Sequence, residues 1–222
     1  MADFKIAIEK VLKHEGGYTK NPNDSGNYQC QVGWAKRVEG KYICENGNTA
    51  HLTGTNRGIS ANTMRNWKGR IVSDSEMINL TEDEAIKIYK KFYWDIIKGD
   101  AITDQSKAEI LFDAYVNQTG WVATMLSDTL KVTRTSIKYP LSPVIIQKIN
   151  SDNSFVEKFV KEREKRYLEQ ADNPGQMGFL KTWLSRIEEF QPFGEKKWIV
   201  KIVFGVIILG VLSAFIYKTT KK

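Results

Sequence analysis

The sequence predicts a mainly α-helical protein with a small β-hairpin or loop insertion and a C-terminal transmembrane helix. Three observations predict this fold class. Apolar side chains recur at helical spacing in several segments before residue 190, residues 27–56 are rich in glycine, asparagine and threonine, and residues 198–217 are almost free of charge. The chain is therefore expected to form a helical body over residues 1–195, followed by a membrane anchor.

The first predicted helix ends at a carboxylate. Apolar side chains recur at helical spacing over residues 4–12, Asp3 is a suitable N-cap, and the pair Gly16-Gly17 ends the helix. Glu15 is therefore expected in or just after the last turn, where the helix dipole is negative. A partly shielded carboxylate beside unsatisfied carbonyl groups should have a raised pKa, as a general acid requires near neutral pH. The alternative is an ordinary solvated glutamate at a helix end.

A turn-rich loop follows and carries a second acid. Residues 21–27 read NPNDSGN, and Asp24 lies nine residues after Glu15. Asp24 could make an Asx-turn with its own backbone, or it could face Glu15 across a cleft. Two carboxylates in different environments are the usual equipment for glycoside hydrolysis, one protonated for the leaving oxygen and the other ionised.

Several runs of sequence carry a resemblance to a known family. These runs are LKHEGGYTKNPNDSG (12–26), NRGIS (56–60), LTEDEAIKIYKKFYWD (80–95), ILFDAYVNQTG (110–120) and FLKTWLSRIEEF (179–190). Over most of residues 1–190 the sequence resembles the glycoside hydrolase family 108 muramidases. The resemblance implies a lysozyme-like helical fold, cleavage of peptidoglycan, and Glu15 of HEGGY as the essential acid. Asp24 is implied more loosely, because the Glu15–Asp24 spacing is similar to that of the Glu and Asp in phage lysozymes.

Residues 27–56 depart from the family pattern, which passes almost directly from the Asp turn to the Gly-Ile step. This insertion is predicted to form hairpins or a long loop beside the site. It contains Tyr28, Trp34 and Tyr42, which could stack on sugar rings or pack the insertion onto the body. Of the three, Trp34 is the predicted substrate contact.

Four further residues are predicted to contact the substrate, namely Tyr18 of the HEGGY motif, Asn56, Ser60 and Asn117. Thr55, Asn56 or Ser60 could help to position a water, although Ser60 could instead be only the N-cap of the next helix. Asp113 and Asn117 are one helical turn apart and match the family's D-x-x-x-N step. They could line the cleft or form hydrogen bonds within the body.

The rest of the body is predicted to be helical. Its helix boundaries come from the capping pair Thr81 and Glu84, from Asp104, Gly120 and Asp152, and from the break at 173–175 before a last helix at 178–190. Arg186 is a candidate partner for a buried carboxylate. We divide the body into a lysozyme-like catalytic half, 1–100, and a helical, peptidoglycan-binding-like half, 101–191, packed on the same body.

The last segment, residues 198–217, is predicted to cross a membrane. It holds one charge, at Lys201, and its 20 residues would span about the 30 Å hydrocarbon core as a helix. A hinge at 192–197 precedes it and a basic tail at 218–222 follows it. Residues 1–195 carry 27 bases against 26 acids, so the basic balance of the chain comes from the tail. This near-neutral body argues against nucleic-acid binding.

The cysteines and histidines point to no metal or cofactor. There are two of each, His14, His51, Cys30 and Cys44, without metal-ligand spacing. No N-terminal export signal is seen, so the body is expected in the cytoplasm, or held in an assembly, until it is delivered to the wall. Cys30 and Cys44 could pair in an oxidising compartment, and they are expected as free thiols while the body stays inside.

Taken together, these features favour a membrane-anchored muramidase that hydrolyses the β-1,4 bond between N-acetylmuramic acid and N-acetylglucosamine. A lytic transglycosylase, which needs only one glutamate, is the first alternative. A non-catalytic wall-binding or structural protein is the second. The expected partners are peptidoglycan, the membrane and a phage-like, secretion or injection assembly, as for a phage endolysin or a secretion-system wall opener.

Overall fold

The structure is a computed structural model and describes residues 1–172 and 176–190. This part of the chain divides into two compact units. The first unit is Asp3–Ile96, and the second joins Met1–Ala2 to the residues from Ile97 onward. The assignment of a catalytic role to residues 1–100 and a wall-binding role to residues 101–191 stays a prediction.

Four helices form the frame of the first unit, namely α1 (Phe4–His14), α2 (Ala61–Lys68), α3 (Asp74–Ile78) and α4 (Glu82–Tyr89). Asp3 caps α1 by accepting from the Lys5 N–H at 2.8 Å, as the sequence predicted. Thr81 caps α4, but the predicted capping box is only half formed, because Glu84 accepts from Trp67 and Lys68 instead. The chain leaves α4 through a π-helical turn, Lys90–Trp94.

Three two-stranded antiparallel sheets lie between α1 and α2. They pair β1 (Tyr28–Gln29) with β4 (His51–Leu52), β2 (Lys36–Val38) with β3 (Lys41–Ile43), and β5 (Thr55–Asn56) with β6 (Ile59–Ser60). The β5–β6 connection has two residues, Arg57 and Gly58, with φ of 49° and 71°. Positive φ at both central positions is the geometry of a type I′ hairpin turn, whose twist matches that of the flanking strands.

The insertion has a small core of its own. Cys30 and Cys44 form a disulfide, and with Tyr42 and Ala50 they make a buried cluster. The rings of Tyr28 and Tyr42 have their centroids 4.2 Å apart. These tyrosines therefore pack the insertion, which was one of the two roles that the sequence left open. The structure pairs Cys30 with Cys44, the arrangement that the sequence left open for an oxidising compartment, and the free thiols expected while the body stays inside remain a prediction.

The second unit is helical in its described part, with α5 (Gln105–Asn117), α6 (Thr119–Leu130), α7 (Pro143–Ser151), α8 (Phe155–Ala171) and α9 (Leu180–Glu188). Its core contains a buried ion network. The Asp113 carboxylate accepts from Arg163 Nη2 at 2.7 Å and from Arg186 Nε at 2.8 Å. Arg186 is thus the partner of a buried carboxylate, as its position suggested.

The predicted fold class is wrong in one component, the transmembrane helix. Within residues 1–172 and 176–190, no helix is long and apolar enough to cross a membrane. The segment on which that prediction fell, 198–217, lies outside the described residues, as do the hinge and the basic tail. The fold class is therefore corrected to mainly α with small antiparallel strand pairs. The predicted location of the body stays untested.

Candidate active site

A cleft in the first unit contains the acid that the sequence singled out. Its volume is about 330 Å³, and three segments line it. The end of α1 with the following residues contributes Glu15 and Tyr18, the β5–β6 hairpin contributes Asn56 and Arg57, and the segment from α3 into α4 contributes Glu82 among others. The cleft thus brings together residues that are far apart in the sequence.

The position of Glu15 follows from the way in which α1 ends. It is the C-cap residue, with extended φ and ψ of −91° and 130°, and its N–H donates to the Leu12 carbonyl at 3.3 Å. The Glu15 side chain is half-buried and lines the cleft. The next two residues, Gly16 and Gly17, also line the cleft, and neither places a side chain beside the carboxylate.

Gly58 forms the surface against which the Glu15 carboxylate packs. A Cβ atom at Gly58 would lie 2.3 Å from Glu15 Oε2 and 2.3 Å from the Tyr89 hydroxyl. The Tyr89 hydroxyl donates to the Arg57 carbonyl at 3.0 Å, and this hydrogen bond holds the hairpin turn in place. The turn, the tyrosine and the carboxylate therefore share one tightly packed space.

Tyr93 adds a neutral phenol near the acid. Burial raises the pKa of the Tyr93 hydroxyl, a hydrogen bond with Thr63 opposes that rise, and the negative charge of Glu15 adds to it. Tyr93 lies in the π-helical turn, a local distortion that is frequent at functional sites. The Tyr93 hydroxyl therefore stays protonated throughout the neutral pH range.

Asp24 holds its own turn. It is the N-cap of a short 3-10 turn, Ser25–Asn27. Its Oδ1 accepts from the Gly26 N–H at 2.8 Å and its Oδ2 accepts from Asn27 Nδ2 at 2.8 Å. The side chain is exposed, and Asp24 is not among the residues that line the cleft. Its geometry corresponds to the Asx-turn that the sequence left open.

The segment that carries this cleft matches a known family. The model of the family described as Glycosyl hydrolase 108 matches residues 8–119, about half of the chain. The chain belongs to glycosyl hydrolase family 108. It is therefore a glycoside hydrolase, an N-acetylmuramidase that acts on peptidoglycan, as the resemblance implied.

The fold has a relative among solved structures. The structure of SagA from Brucella abortus is similar with a TM-score of 0.59 and 21% sequence identity, and the match covers 84% of this chain and 90% of that chain. At this identity the likeness concerns the fold alone. No curated protein matches the sequence.

Two of the predicted substrate contacts lie in the cleft of this family 108 hydrolase. The Tyr18 hydroxyl donates to the Thr53 carbonyl at 2.8 Å, so its ring forms a fixed wall. Asn56 Nδ2 donates to the carbonyls of Met77 and Ile78 at 2.8 and 3.1 Å. Because both amide protons are used, the Asn56 side chain can offer a ligand only its carbonyl oxygen.

The other three predicted contacts have different surroundings. Ser60 is the N-cap of α2 and accepts from the Thr63 N–H at 3.2 Å. Trp34 lies in the insertion with 55% of its surface exposed. Asn117 belongs to the second unit, where its Nδ2 donates to the Asp113 carbonyl at 2.8 Å. Whether any of them touches the substrate stays a prediction.

Several members of the site were not predicted from the sequence, namely Arg57, Gly58, Glu82, Tyr89 and Tyr93. All five lie within runs that carried the family resemblance. Their roles depend on contacts across 20 to 80 residues of chain, which no local pattern reveals. A signal was present at Arg57-Gly58, because a two-residue turn between short strands predicts a tight hairpin.

Among the described residues, no cluster of three His, Cys, Asp or Glu side chains could hold a metal ion.

Proposed function

We propose that this family 108 hydrolase cleaves the β-1,4 bond between N-acetylmuramic acid and N-acetylglucosamine, with Glu15 as the general acid. The observation that carries the proposal is the position of Glu15 in a cleft, with its carboxylate packed against the Gly58 turn. A carboxyl group held in this way can present its proton to the glycosidic oxygen of a bound glycan. The departing sugar then leaves as a neutral alcohol, which lowers the barrier to bond cleavage.

The surroundings of Glu15 suit an acid that must keep its position. Tyr89 and Gly58 limit the movement of the carboxylate from one side. Tyr18 and Asn56 are fixed by their own hydrogen bonds, so the walls of the cleft do not have to reorganise when a sugar binds. Preorganisation of this kind reduces the cost of bringing acid and substrate into reacting geometry.

A lytic transglycosylase remains the second candidate, and the position of Asp24 favours keeping it. Asp24 uses both carboxylate oxygens in its turn and does not line the cleft. In a transglycosylase one glutamate suffices, because the 6-hydroxyl of the muramyl residue displaces the leaving group. Mass spectrometry of the products separates the two reactions, since hydrolysis gives reducing ends and transglycosylation gives 1,6-anhydro ends.

The proposal is tested with Glu15→Gln on purified peptidoglycan. General acid catalysis typically contributes about 10²–10⁴-fold, so the variant should lose at least that factor in turnover. Glu9→Gln is the matched control, because Glu9 is an exposed glutamate on the same helix, outside the cleft. Both variants should unfold at the wild-type temperature. Substantial cleavage by a folded Glu15→Gln protein would remove Glu15 from the mechanism.

A further inference from the structure

Arg57 is held in the cleft at two points of its guanidinium group. Its Nε donates to the Leu80 carbonyl at 3.2 Å, and its Nη1 donates to Glu82 Oε2 at 2.9 Å. Its side chain remains 38% exposed and lines the same cleft as Glu15. Because a guanidinium is planar, fixing two of its nitrogens also fixes the direction of the third.

The third nitrogen has donors to spare. A guanidinium carries five N–H groups, and two of them are used by Leu80 and Glu82. Within residues 1–172 and 176–190, Nη2 of Arg57 has no acceptor. A fixed cationic donor pair at the edge of a sugar-binding cleft suits a carboxylate, the group whose geometry matches a guanidinium best.

The backbone at Arg57 supports a role for its side chain. Its φ is 49°, the left-handed region, where glycine or asparagine fits with less strain. The hairpin would form more readily with Asn-Gly than with Arg-Gly at this turn. The long cationic side chain at this position is therefore not explained by the turn.

We infer that Arg57 binds a carboxylate carried by the muramyl residue of the glycan, and so sets which sugar occupies its part of the cleft. This inference rests on the proposed function. N-acetylmuramic acid differs from N-acetylglucosamine by a lactyl ether. In a peptide-free strand the lactyl carboxylate is free, and in a peptide-bearing strand the carboxylates belong to the stem peptide. Arg57 thus distinguishes the two alternating sugars and fixes the register of the strand, with Glu82 as its positioning residue.

A purely structural role for Arg57 predicts different behaviour. In that case the side chain only ties the hairpin to Leu80 and Glu82, and its loss would lower stability and affect every substrate equally. A carboxylate-binding role instead makes the loss depend on the charge of the substrate. The experiment therefore compares substrates as well as variants.

The variants are Arg57→Gln, which removes the charge, and Arg57→Lys, which keeps the charge but lacks the planar set of guanidinium N–H donors. Arg70→Gln is the matched control, because Arg70 also pairs with a glutamate, Glu76, but does not line this cleft. The substrates are soluble glycan fragments with and without stem peptides. Each is used with its carboxylates free, and again after carbodiimide coupling to methylamine has converted them to neutral amides. Released ends are counted to give kcat and KM.

On fragments with free carboxylates, Arg57→Gln should raise KM about tenfold or more, the usual size of a lost charge-assisted hydrogen bond, with kcat little changed. On amidated fragments Arg57→Gln and the wild type should have the same KM. Arg57→Lys should fall between them on free carboxylates, and Arg70→Gln should match the wild type throughout. A loss confined to peptide-free fragments identifies the lactyl carboxylate as the ligand. A loss confined to peptide-bearing fragments identifies a stem-peptide carboxylate as the ligand.

Equal losses by Arg57→Gln on free and amidated fragments would overturn the inference and leave a structural role. Unfolding temperatures of all variants show whether such a loss comes from instability, and Arg57→Lys provides the comparison if Arg57→Gln does not fold. Failure of the wild type to cleave any fragment would instead refute the proposed function. The two failures are therefore distinguishable.

Discussion

At the scale of single residues, Gly58 decides whether the Glu15 carboxylate can occupy its place. A Cβ atom there would lie 2.3 Å from Glu15 Oε2, and the φ of 71° is itself strained for any L side chain. We expect Gly58→Ala to lose at least tenfold in turnover, because a displacement of about 1 Å at a catalytic group can cost two orders of magnitude. The backbone strain should also lower the free energy of unfolding by roughly 1–2 kcal/mol.

Gly40→Ala is the control for that strain. Gly40 occupies the β2–β3 turn with a φ of 82°, and a Cβ there would meet nothing within 4 Å. The control should lose similar stability and keep its turnover. Turnover measured on peptidoglycan and denaturant unfolding of both variants decide the matter. Equal activity of the two variants would show that Glu15 does not depend on the Gly58 turn.

Asp24 has two candidate roles from the sequence, catalysis and holding its own turn, and its hydrogen bonds favour the second. Both of its carboxylate oxygens accept hydrogen bonds from its own turn. In Asp24→Asn the amide nitrogen cannot accept from Asn27 Nδ2, so we expect a loss of about 1 kcal/mol in the free energy of unfolding. Turnover of the folded fraction should stay close to wild type. A large fall in kcat without a matching loss of stability would return Asp24 to the catalytic residues.

At the scale of elements, two tyrosine hydroxyls tie the insertion to the loop that carries Asp24, and a disulfide closes the insertion on itself. The Tyr28 and Tyr42 hydroxyls donate to the carbonyls of Pro22 and Asn23 at 3.1 and 2.9 Å. The Cys30–Cys44 bond closes a loop of 14 residues in the same cluster. A loop of this length is worth about 3 kcal/mol in the chain-entropy model of disulfides.

Reduction should therefore lower the free energy of unfolding by about 3 kcal/mol, measured by denaturant titration with and without reductant. The double variant Cys30→Ser, Cys44→Ser should show the same loss and no further response to reductant. A wild-type protein whose unfolding is unaffected by reductant would mean that the two thiols are not joined in solution.

Helix ends were predictable where the signal is local. The start of α1 at Asp3 and its end beside Gly16 follow from capping and glycine chemistry alone. Gly120 was predicted to end a helix, but α5 already ends at Asn117 and Gly120 lies inside α6. A Cβ at Gly120 would meet nothing within 4 Å, so no packing requirement explains the glycine. The sequence does not distinguish a tolerated glycine from a terminating one.

Two other elements show the same limit. Asp152 was predicted to open α8, but it is the C-cap of α7, and α8 begins at Phe155. The helix α7 was not predicted, although Ser142-Pro143 is a strong start signal and Ser142 does cap it. The cleft was even harder to predict from the sequence than these helices. Arg57 reaches it only because Leu80 and Glu82, 23 and 25 residues away, fold next to the hairpin.

At the scale of the whole molecule, stability should depend on pH at both ends of the scale. At the acid end, the hydrogen bond from Arg70 lowers the pKa of Glu76 to about 2. A lowered folded-state pKa contributes stability above the usual glutamate pKa, and that contribution is lost as the pH falls toward 2. Because this ion pair is exposed, the acid loss from it should be small and should shrink further in high salt.

Tyr139 should set part of the alkaline limit. Burial raises the pKa of its hydroxyl, the neighbouring Tyr115 adds to the rise, and Arg134 opposes it. The folded chain therefore keeps the Tyr139 proton over a pH range in which the unfolded chain loses it, so the contribution of Tyr139 to stability is constant below pH 10 and falls above it. Among the described residues the Tyr139 hydroxyl has no hydrogen-bond partner, so Tyr139→Phe removes an unsatisfied buried group.

We expect Tyr139→Phe to be at least as stable as the wild type at pH 7, and to lose less stability between pH 10 and 12. Thermal unfolding of both proteins across that range measures the difference, and parallel curves would show that Tyr139 takes no part in the alkaline transition.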